Sequence, residues 1–391
     1  MLLSHTFVHT LISVSAALAS CSSQSTPYLD WRNFNGNGAN LGGWLVQEPF
    51  IDSEFWATYC GSDVLDEWTC CENLGDQCGP ILEHRYATWI TPADIDTLAS
   101  ADINVLRIPT TYSAWIDLPG SQLYHGQQKK HIAKIAGYAI ARYGMHVILD
   151  LHGLPGGINN DTIGERAGGL AWFYNQTAFD WSLKTVDAVV DFIQNSGRPQ
   201  SFTLQPINEP MDIPDLAGQP ASLSEEAAAW VLKYFNAVVE IVASANPSIP
   251  VMLQGSFKSI DYWSANFTGD KNIVFDAHYY YFIGNPVGSS NITGFICKNA
   301  KEAQGSGKFP VFVGEWSMQT LYNNTLASRA MILNAGLEAW SKYTQGSSYW
   351  TAQFTGNATV AGEGIQADYW SLLSLIRSGL VAPLTDSGFC N

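Results

Sequence analysis

Short apolar runs alternate with longer amphipathic stretches along most of the chain. The runs are continuous and rich in β-branched residues, which is typical of parallel strands buried on both faces. They predict eight strands, at Ala39–Val46, Ile103–Pro109, His146–His152, Phe202–Pro206, Pro250–Gly255, Ile273–Tyr280, Pro310–Glu315 and Ser348–Phe354. The helices predicted between them include Trp181–Asn195, Ala221–Ala245, Leu326–Tyr343 and one that begins after an N-cap at Thr91. This alternation predicts an α/β protein with a single domain, a (β/α)8 TIM barrel over residues 21–391.

One segment, Asp52–Gly79, interrupts the alternation after the first predicted strand, so we expect this insertion on the catalytic face. Its four cysteines are Cys60, Cys70, Cys71 and Cys78. They predict one or two local disulfides, and we expect Cys297 to pair with Cys390. A zinc site is the alternative, but the cluster has no C-x-x-C pair and no histidine.

The N-terminus has the pattern of a secretory signal peptide over residues 1–20. It contains no Lys, Arg, Asp or Glu, Leu11–Ala19 is apolar, and residues 17–19 form a small-x-small pattern. Residues 18–21 also resemble a bacterial lipoprotein box, although no basic residue precedes them. We expect a secreted, extracellular protein, free or associated with a cell wall, because no other apolar run reaches membrane length. Six sequons agree with secretion, at Asn160, Asn175, Asn266, Asn291, Asn323 and Asn357.

The amino-acid composition limits the kinds of molecule that the protein is expected to bind. The net charge is −16 while only 14% of residues are charged, so an acidic surface would repel the phosphates of nucleic acid. The 14 Trp, 17 Tyr and 18 Phe residues favour a carbohydrate partner, since aromatic rings bury the C–H faces of sugars. We expect a β-glucan or β-glucoside as substrate, no membrane partner and a monomeric protein.

Polar residues end six of the predicted strands, and in such barrels the carboxyl ends of the strands carry the reactive side chains. They are Arg107 after strand two, His152 after strand three, Asn208 and Glu209 after strand four, His278 and Tyr280 after strand six, Glu315 after strand seven and Trp350 on strand eight. All of them are predicted to face one opening.

Two of these residues, Glu209 and Glu315, form the pair of carboxylic acids that glycosidic bond hydrolysis requires. We expect Glu315 to be the nucleophile, hydrogen-bonded and kept ionised by Arg107 and Tyr280. Glu209 would be the acid/base, held protonated beside His278 and an apolar wall. No group of His, Asp and Glu has metal-ligand spacing along the chain, so neither a metal nor another cofactor is expected.

With these strand-end residues the chain resembles glycoside hydrolase family 5, whose retaining members are (β/α)8 barrels. The family's recurring residues match Arg107, His152, Asn208, Glu209, His278, Tyr280, Glu315 and Trp350. The resemblance implies that Asn208 holds the sugar 2-hydroxyl. The segment Gly38–Pro49 is similar to that of fungal exo-β-1,3-glucanases, which implies that Glu48 binds the terminal glucose and that one glucose is released at a time.

The chain departs from the exo-glucanase pattern at two places. The exo-glucanases have a Phe-Asp pair in the loop after strand three, where this chain has Asp161 and Thr162. They also have a Phe at the pocket entrance, where this chain has Ile283. A wider pocket would admit a glucose that carries a sugar on O6, as in fungal family 5 rutinosidases. This alternative is a diglycosidase that releases rutinose from flavonoid glycosides, with Trp172–Tyr174 stacking on the second sugar.

Two further alternatives remain open. A β-1,6-glucan is another substrate within the family. A carbohydrate-binding pseudoenzyme is an alternative of a different class, although the presence of both Glu209 and Glu315 argues against it.

Overall fold

The computed structural model describes residues 27–161, 163–214, 221–256, 258–284, 286–383 and 388–390. The predicted signal peptide, Cys21 and Thr162 lie outside the described residues. Eight parallel strands close into a barrel in the order of the chain, which confirms the predicted (β/α)8 fold. The strands are β1 Gly36–Asn40, β2 Val105–Thr111, β3 His146–Gly153, β4 Phe202–Gln205, β5 Val251–Gln254, β6 Ile273–Tyr281, β7 Val311–Thr320 and β8 Gly346–Tyr349.

Helices surround the barrel and fill the connections between strands. Within the described ranges they are α1 Ser53–Tyr59, α2 Glu67–Leu74, α3 Cys78–Thr88, α4 Pro92–Ala99, α5 Gln128–Tyr143, α6 Gln176–Asn195, α7 Glu225–Ala245, α8 Ile260–Ser264, α9 Ile292–Ala303, α10 Arg329–Tyr343, α11 Ala367–Trp370 and α12 Leu372–Arg377. The predicted cap of α4 is present as a capping box between Thr91 and Asp94.

The first and last strands begin earlier than the apolar runs predict. β1 consists of small and polar residues, and a Cβ at Gly38 would lie 2.2 Å from the Ser348 hydroxyl of β8. Gly346, at φ +92°, lies so close to the Gly36 backbone that a side chain there would clash. Glycines therefore let these strands meet, and no hydrophobic period marks them. The apolar residues after β1 are instead a buried loop, in which the Trp44 indole donates to the Tyr86 carbonyl at 2.9 Å.

A small apolar layer fills the barrel interior near the amino ends of the strands. Trp31, which precedes β1, packs there against the inward-facing residues of five strands, Val105, Ile148, Met252, Val274 and Phe312. The outward-facing residues of the same strands pack against the helices in one large core. The barrel is therefore a packed core at its lower end, and only the carboxyl ends of the strands are available for a site.

The insertion after β1 folds as α1, α2 and the start of α3 and contains two disulfides, Cys60–Cys70 and Cys71–Cys78. These bonds confirm the local pairing and exclude the zinc alternative, because a thiol in a disulfide is not a zinc ligand. The predicted bond Cys297–Cys390 is also present and ties the chain's end to α9.

Helix α7 differs from the sequence prediction in the length of its apolar stretch. Helix α7 is long and apolar enough to cross a membrane, with a mean hydropathy of 1.3, whereas the sequence predicts no such run after residue 20. In the fold α7 packs against β5 and α6 through buried residues such as Val231 and Phe235. It is therefore an outer helix of the barrel whose apolar face belongs to the core.

Candidate active site

A buried polar layer lies directly above the apolar layer, because strand residues two apart face the same side of a sheet. On β2 Arg107 lies two residues after Val105, and on β6 Asp276 lies two residues after Val274. Arg107 and Asp276 are at most 2% exposed. The same step on these two strands thus leads from the apolar layer to the floor of the site.

Arg107 is the centre of this polar layer. Its guanidinium contacts five side chains at 2.7–3.0 Å, those of Asn40, Asp150, Gln205, Asn208 and Glu315. Burial acts to lower the pKa of Arg107, but the carboxylates of Asp150, Glu315 and Asp276 outweigh it and raise that pKa above its usual value. A permanently charged, fully bonded arginine fixes the positions of its partners.

Glu315, on β7, is oriented by two donors. Arg107 Nη1 donates to Oε1 at 2.7 Å and the Tyr280 hydroxyl donates to Oε2 at 2.7 Å. The residue is 4% exposed, so these donors take the place of water around the carboxylate. Both hydrogen bonds expected from the sequence are therefore present, and they hold the carboxylate in one orientation.

Glu209 follows β4 in an unusual backbone conformation, with φ +45° in the region that favours glycine. Its N–H donates to Gln254 Oε1 at 3.0 Å, and its Oε1 lies 2.7 Å from His278 Nδ1. The other ring nitrogen of His278 lies 3.0 Å from Asp276 Oδ2. Backbone strain of this kind is found where a side chain must be aimed at a site, and here the glutamine and histidine hold it.

The two predicted catalytic carboxyls come together across the barrel. One oxygen of Glu209, one oxygen of Glu315 and a ring nitrogen of His278 all lie within 4.8 Å of one another. Retaining glycosidases have carboxyl groups about 5–5.5 Å apart, whereas inverting enzymes separate them by about 6.5–9.5 Å. The spacing therefore matches direct attack by a carboxylate.

The surroundings of this cluster shift the pKa values of His278 and Glu209 in opposite directions and favour a proton on His278, whereas the sequence leads us to expect a protonated Glu209. Burial opposes the charge on His278, but Glu315 and Asp276 raise the pKa of the imidazole well above its usual value. Burial also acts to raise the pKa of Glu209, but the hydrogen bond and charge of His278 lower it below its usual value. Three carboxylates, those of Glu209, Asp276 and Glu315, surround the His278 imidazole, and the sequence alone does not show this grouping.

Glu48, in the loop after β1, lies at the same site. It is 5% exposed, and its Oε1 has no hydrogen-bond partner among the described residues. Burial, followed by the charges of Glu315, Glu209 and Asp161, raises the pKa of Glu48 well above its usual value. An unpaired buried oxygen beside the catalytic pair is suited to form a hydrogen bond with a sugar hydroxyl.

His152 and Trp350 form one wall of the site. The His152 ring stacks on the Trp350 indole with centroids 5.6 Å apart and an angle of 10°, and His152 Nδ1 lies 2.7 Å from Asp150 Oδ2. Trp350 follows β8 directly and is joined to Thr351 by a cis peptide bond. The structure therefore brings every site residue predicted from the sequence to one end of the barrel.

A cavity of about 500 Å³ extends from Glu209 past His278 and Tyr280 to Ile283. Ile283 is 54% exposed, so the position predicted to lack an entrance aromatic is open. The neighbouring Phe282 packs edge-on against Tyr280 and Trp370 instead. The cavity is therefore open to solvent at Ile283.

The proposed stacking by Trp172–Tyr174 is wrong for its first two residues. Trp172 is fully buried, donates its indole N–H to Ser182 at 3.0 Å and packs edge-on against Tyr234. Phe173 is also buried. Only Tyr174 is exposed, because the segment leads into α6 and the first two aromatics serve the helix layer.

Several residues that support the site are missed by the sequence analysis, namely Asn40, Asp150, Gln205, Gln254 and Asp276. All five lie within barrel strands and are at most 3% exposed. A polar residue two positions before a strand-end residue, as Asp150 is before His152, is the signal that would have found some of them.

Glu209, His278 and Glu315 are also close enough to share a metal ion, although they lie far apart in the chain. The sequence spacing alone does not show this grouping. Arg107 Nη1 lies 2.7 Å from Glu315, and a buried guanidinium at that distance repels a cation. Asp276 already takes the second ring nitrogen of His278. The donor set therefore suits proton transfer better than metal binding.

Comparisons with known proteins agree with the geometry. The family model described as "Cellulase (glycosyl hydrolase family 5)" matches residues 77–356. A protein of Aspergillus fumigatus named "Probable glucan 1,3-beta-glucosidase A" is 34% identical over 291 residues, which cover 73% of this chain and 66% of that relative. "Glucan 1,3-beta-glucosidase 1" of Schizosaccharomyces pombe is 25% identical, over 90% of this chain and 83% of the relative.

A solved structure covers more of the chain. The crystal structure of rutinosidase from Aspergillus niger superposes with a TM-score of 0.88 at 56% identity, over 91% of this chain and all of that one. The family match includes the strands that carry Arg107, Glu209 and Glu315, which confirms the resemblance drawn from the strand ends. This chain belongs to glycosyl hydrolase family 5.

Proposed function

We propose that this glycoside hydrolase cleaves β-D-glucosidic bonds with retention of configuration, using Glu315 as nucleophile and Glu209 as acid/base. The observation that carries the proposal is the placement of their carboxyl oxygens within 4.8 Å of each other on opposite sides of the barrel mouth. Arg107 and Tyr280 orient the first carboxylate and His278 orients the second.

The reaction takes place in two steps. In the first, Glu315 attacks the anomeric carbon, the bond to the leaving oxygen breaks, and Glu209 gives that oxygen its proton. In the second, Glu209 takes a proton from water, the water oxygen attacks the anomeric carbon, and the bond to Glu315 breaks. His278 lies 2.7 Å from Glu209, so it can pass Glu209 the proton that the first step uses and take a proton back after Glu209 has gained one from water in the second step.

The sugar is held by residues around the pair. Asn208 Oδ1 already accepts a hydrogen bond from Arg107, which leaves the amide N–H₂ group of Asn208 for the 2-hydroxyl. Glu48 offers its unpaired oxygen to hydroxyls at the far end of the ring, while His152 and Trp350 line the wall. These contacts bind a single terminal sugar, which fits hydrolysis from the non-reducing end.

A trapping experiment tests the catalytic assignment. A 2-deoxy-2-fluoro-β-glucoside with a good leaving group should form a stable ester with the enzyme, and peptide mapping should find it on Glu315. Proton NMR of the first product should show the β-anomer. A label on another residue, or an α-product, would contradict the proposal.

The first candidate substrate is a β-1,3-glucan, from which the enzyme would release glucose. This is the activity named for the relatives in Aspergillus fumigatus and Schizosaccharomyces pombe. The buried Glu48, close enough for Glu315 and Glu209 to raise its pKa, supports a terminal-glucose pocket of the kind that an exo-acting enzyme needs.

The second candidate is a 6-O-rhamnosyl-glucoside, from which the enzyme would release rutinose. The observation that favours it is the 56% identity to the Aspergillus niger rutinosidase over the whole of that structure. The open position at Ile283 suits an aromatic aglycone on the leaving-group side.

One assay separates the two candidates. Purified enzyme is incubated with laminarin and with rutin in parallel, and the first sugar released is identified by chromatography. Glucose from laminarin supports the first candidate, and rutinose from rutin supports the second. Release of neither sugar, with tight binding of glucan, would favour the pseudoenzyme alternative.

We further infer that the protein acts outside the cell as a monomer. Three disulfides support an oxidising compartment. Five of the six sequon asparagines are exposed, and only Asn160, in the loop after β3, is half-buried. Mass spectrometry of the secreted protein, before and after glycosidase treatment, tests both the cleavage site and the glycans.

A further inference from the structure

The disulfide-bridged insertion has a buried acidic segment that the catalytic proposal does not use. Asp66 and Glu67 are 3% and 2% exposed, and they begin helix α2. Cys70 and Cys71, on the same helix, anchor it through two disulfides, one to Cys60 and one to Cys78. Carboxyls buried this deeply need partners, so their hydrogen bonds indicate what they hold in place.

Glu67 holds the loop after β1. Its Oε2 accepts the Gln47 backbone N–H at 2.7 Å in a buried contact. Gln47 directly precedes Glu48, the residue with an unpaired oxygen beside the catalytic pair. The backbone that sets the position of Glu48 is therefore fixed by a hydrogen bond from the insertion.

Asp66 and Trp68 hold the loop after β3. Asp66 Oδ2 accepts the Ala167 backbone N–H at 2.9 Å, and the Trp68 backbone N–H donates to the Gly164 carbonyl at 3.2 Å. The Gly168 N–H in turn donates to the carbonyl of residue 160 at 3.2 Å, which closes the base of the loop beside Asp161. Asp161 is near enough to Glu48 to raise its pKa.

We infer that Asp66, Glu67 and Trp68 form a positioning clamp that fixes both loops at the glycone end of the pocket and thereby sets the affinity for the terminal sugar. The inference rests on the proposed function, since it assigns Glu48 to the sugar. These three residues make no contact with the catalytic pair, so they act through the loops.

The clamp predicts an effect on binding more than on turnover. Glu67→Ala removes the acceptor of the Gln47 N–H and should raise KM for an aryl β-glucoside about five- to ten-fold, with kcat within about two-fold of wild type. Glu67→Gln keeps an acceptor oxygen in place. Burial raises the pKa of Glu67 to about 8, so at acidic pH the native carboxyl is neutral, as the amide is. This variant should restore the wild-type KM.

Asp66→Asn gives an independent measurement if Glu67→Ala does not fold. The amide can cap α2 at Thr69 or accept from Ala167, but not both, so KM should rise while the helix is retained. Glu72→Gln is the matched control. Glu72 forms an exposed ion pair with Arg166 on the same loop, and its loss should leave KM unchanged.

Active enzyme is counted by trapping with the fluoroglucoside, so that misfolded protein does not affect kcat. If Glu67→Ala and Asp66→Asn lower only the melting temperature and leave KM unchanged, the clamp is merely structural and the inference is wrong. Equal KM values for Glu67→Ala and Glu67→Gln would also overturn it.

Glu48→Ala separates this inference from the proposed function. If Glu48→Ala raises KM and Glu67→Ala does not, the clamp alone fails. If Glu48→Ala leaves KM unchanged, the sugar contact assigned to Glu48 is wrong, and the clamp fails with it.

Discussion

The lower and upper layers of the barrel interior are built from the same strands but from opposite kinds of side chain. Near the amino ends, Met252 and Phe312 pack around Trp31 in an apolar layer. Two or three residues further along the same strands lie Gln254 and Glu315, and both are at most 4% exposed. Burial is thus equal in the two layers, and only the chemistry of the inward-facing side chains differs.

The difference shows that burial alone does not explain the upper layer. Burying apolar groups stabilises the fold by roughly 25 cal/mol per Å². Burying charges costs free energy unless every group is paired, and replacing a buried ionic network by apolar residues is often neutral or stabilising. Arg107, with five partners, shows full pairing. A fully paired network is expected to add little stability, so this one, which ends at two carboxylates within 4.8 Å, is better explained by its chemistry.

The comparison is tested most strongly by Glu315→Ala. Loss of a covalent nucleophile should lower kcat by about four orders of magnitude or more, while the apolar layer below keeps the protein folded. Initial rates with an aryl β-glucoside measure the effect, and circular dichroism checks the fold. Added azide should restore part of the rate and give an α-product, because a small anion can enter from the vacated side.

Retained activity in Glu315→Ala would show that the upper layer does not contain the nucleophile. Glu240→Ala serves as a control, since Glu240 is an exposed carboxylate on α7, away from the site, and its loss should leave kcat unchanged.

Glu209→Ala should have the next largest effect, and it should depend on the leaving group. General acid catalysis contributes about 10²–10⁴-fold, so hydrolysis of the natural substrate should fall by that factor. A dinitrophenyl glucoside needs little protonation and should lose much less in its first step. Rates for a series of aryl glucosides measure the dependence, and an equal loss across the series would contradict the acid role.

Met252→Ala tests the lower layer. Truncating this fully buried methionine should cost about 2–5 kcal/mol of unfolding free energy, measured by denaturant titration, because a cavity remains in the apolar layer. The kcat of the folded enzyme should stay within about two-fold of wild type. Met252→Leu conserves volume and should cost less than about 1.5 kcal/mol. A large fall in kcat for Met252→Ala would show that the two layers are not separable.

The sequence predicts the lower layer and the strand ends better than what lies between them. Continuous apolar runs identify β2 to β7, and Arg107, His152 and Glu315 stand out as polar residues that close such runs. The starts of β1 and β8 are missed because small and polar residues form them, and the close contact of these strands depends on missing side chains rather than on hydrophobicity.

The protonation of the site also lies beyond the sequence. Glu209 and Glu315 are separated by more than a hundred residues, and so the number of charges around His278 becomes known only when the barrel closes. The buried supports, such as Asp276, look like irregularities within a strand until their partners are known. The clamp at Asp66 is likewise visible only through contacts with two distant loops.

The smallest expected effect is a change in pH dependence when His278 is replaced by glutamine. The charge on His278 lowers the pKa of Glu209, so the protonated acid forms only on the acidic side of its usual range. Activity that needs this acid is therefore lost as the pH rises through the lowered pKa, which predicts an acidic optimum. Glutamine cannot carry the charge, so burial should then be less opposed and the pKa of Glu209 should rise.

The alkaline limb of kcat/KM should accordingly move to higher pH in His278→Gln, and pH–rate profiles of both proteins measure the shift. His146→Gln is a suitable control, because it replaces another buried histidine, which contacts Thr203 at the amino end of β3, and leaves the carboxyls around His278 as they are. A limb that stays in place, or moves to lower pH, would show that the proton is not shared between His278 and Glu209. The polar layer would then position the catalytic carboxyls without setting their charge.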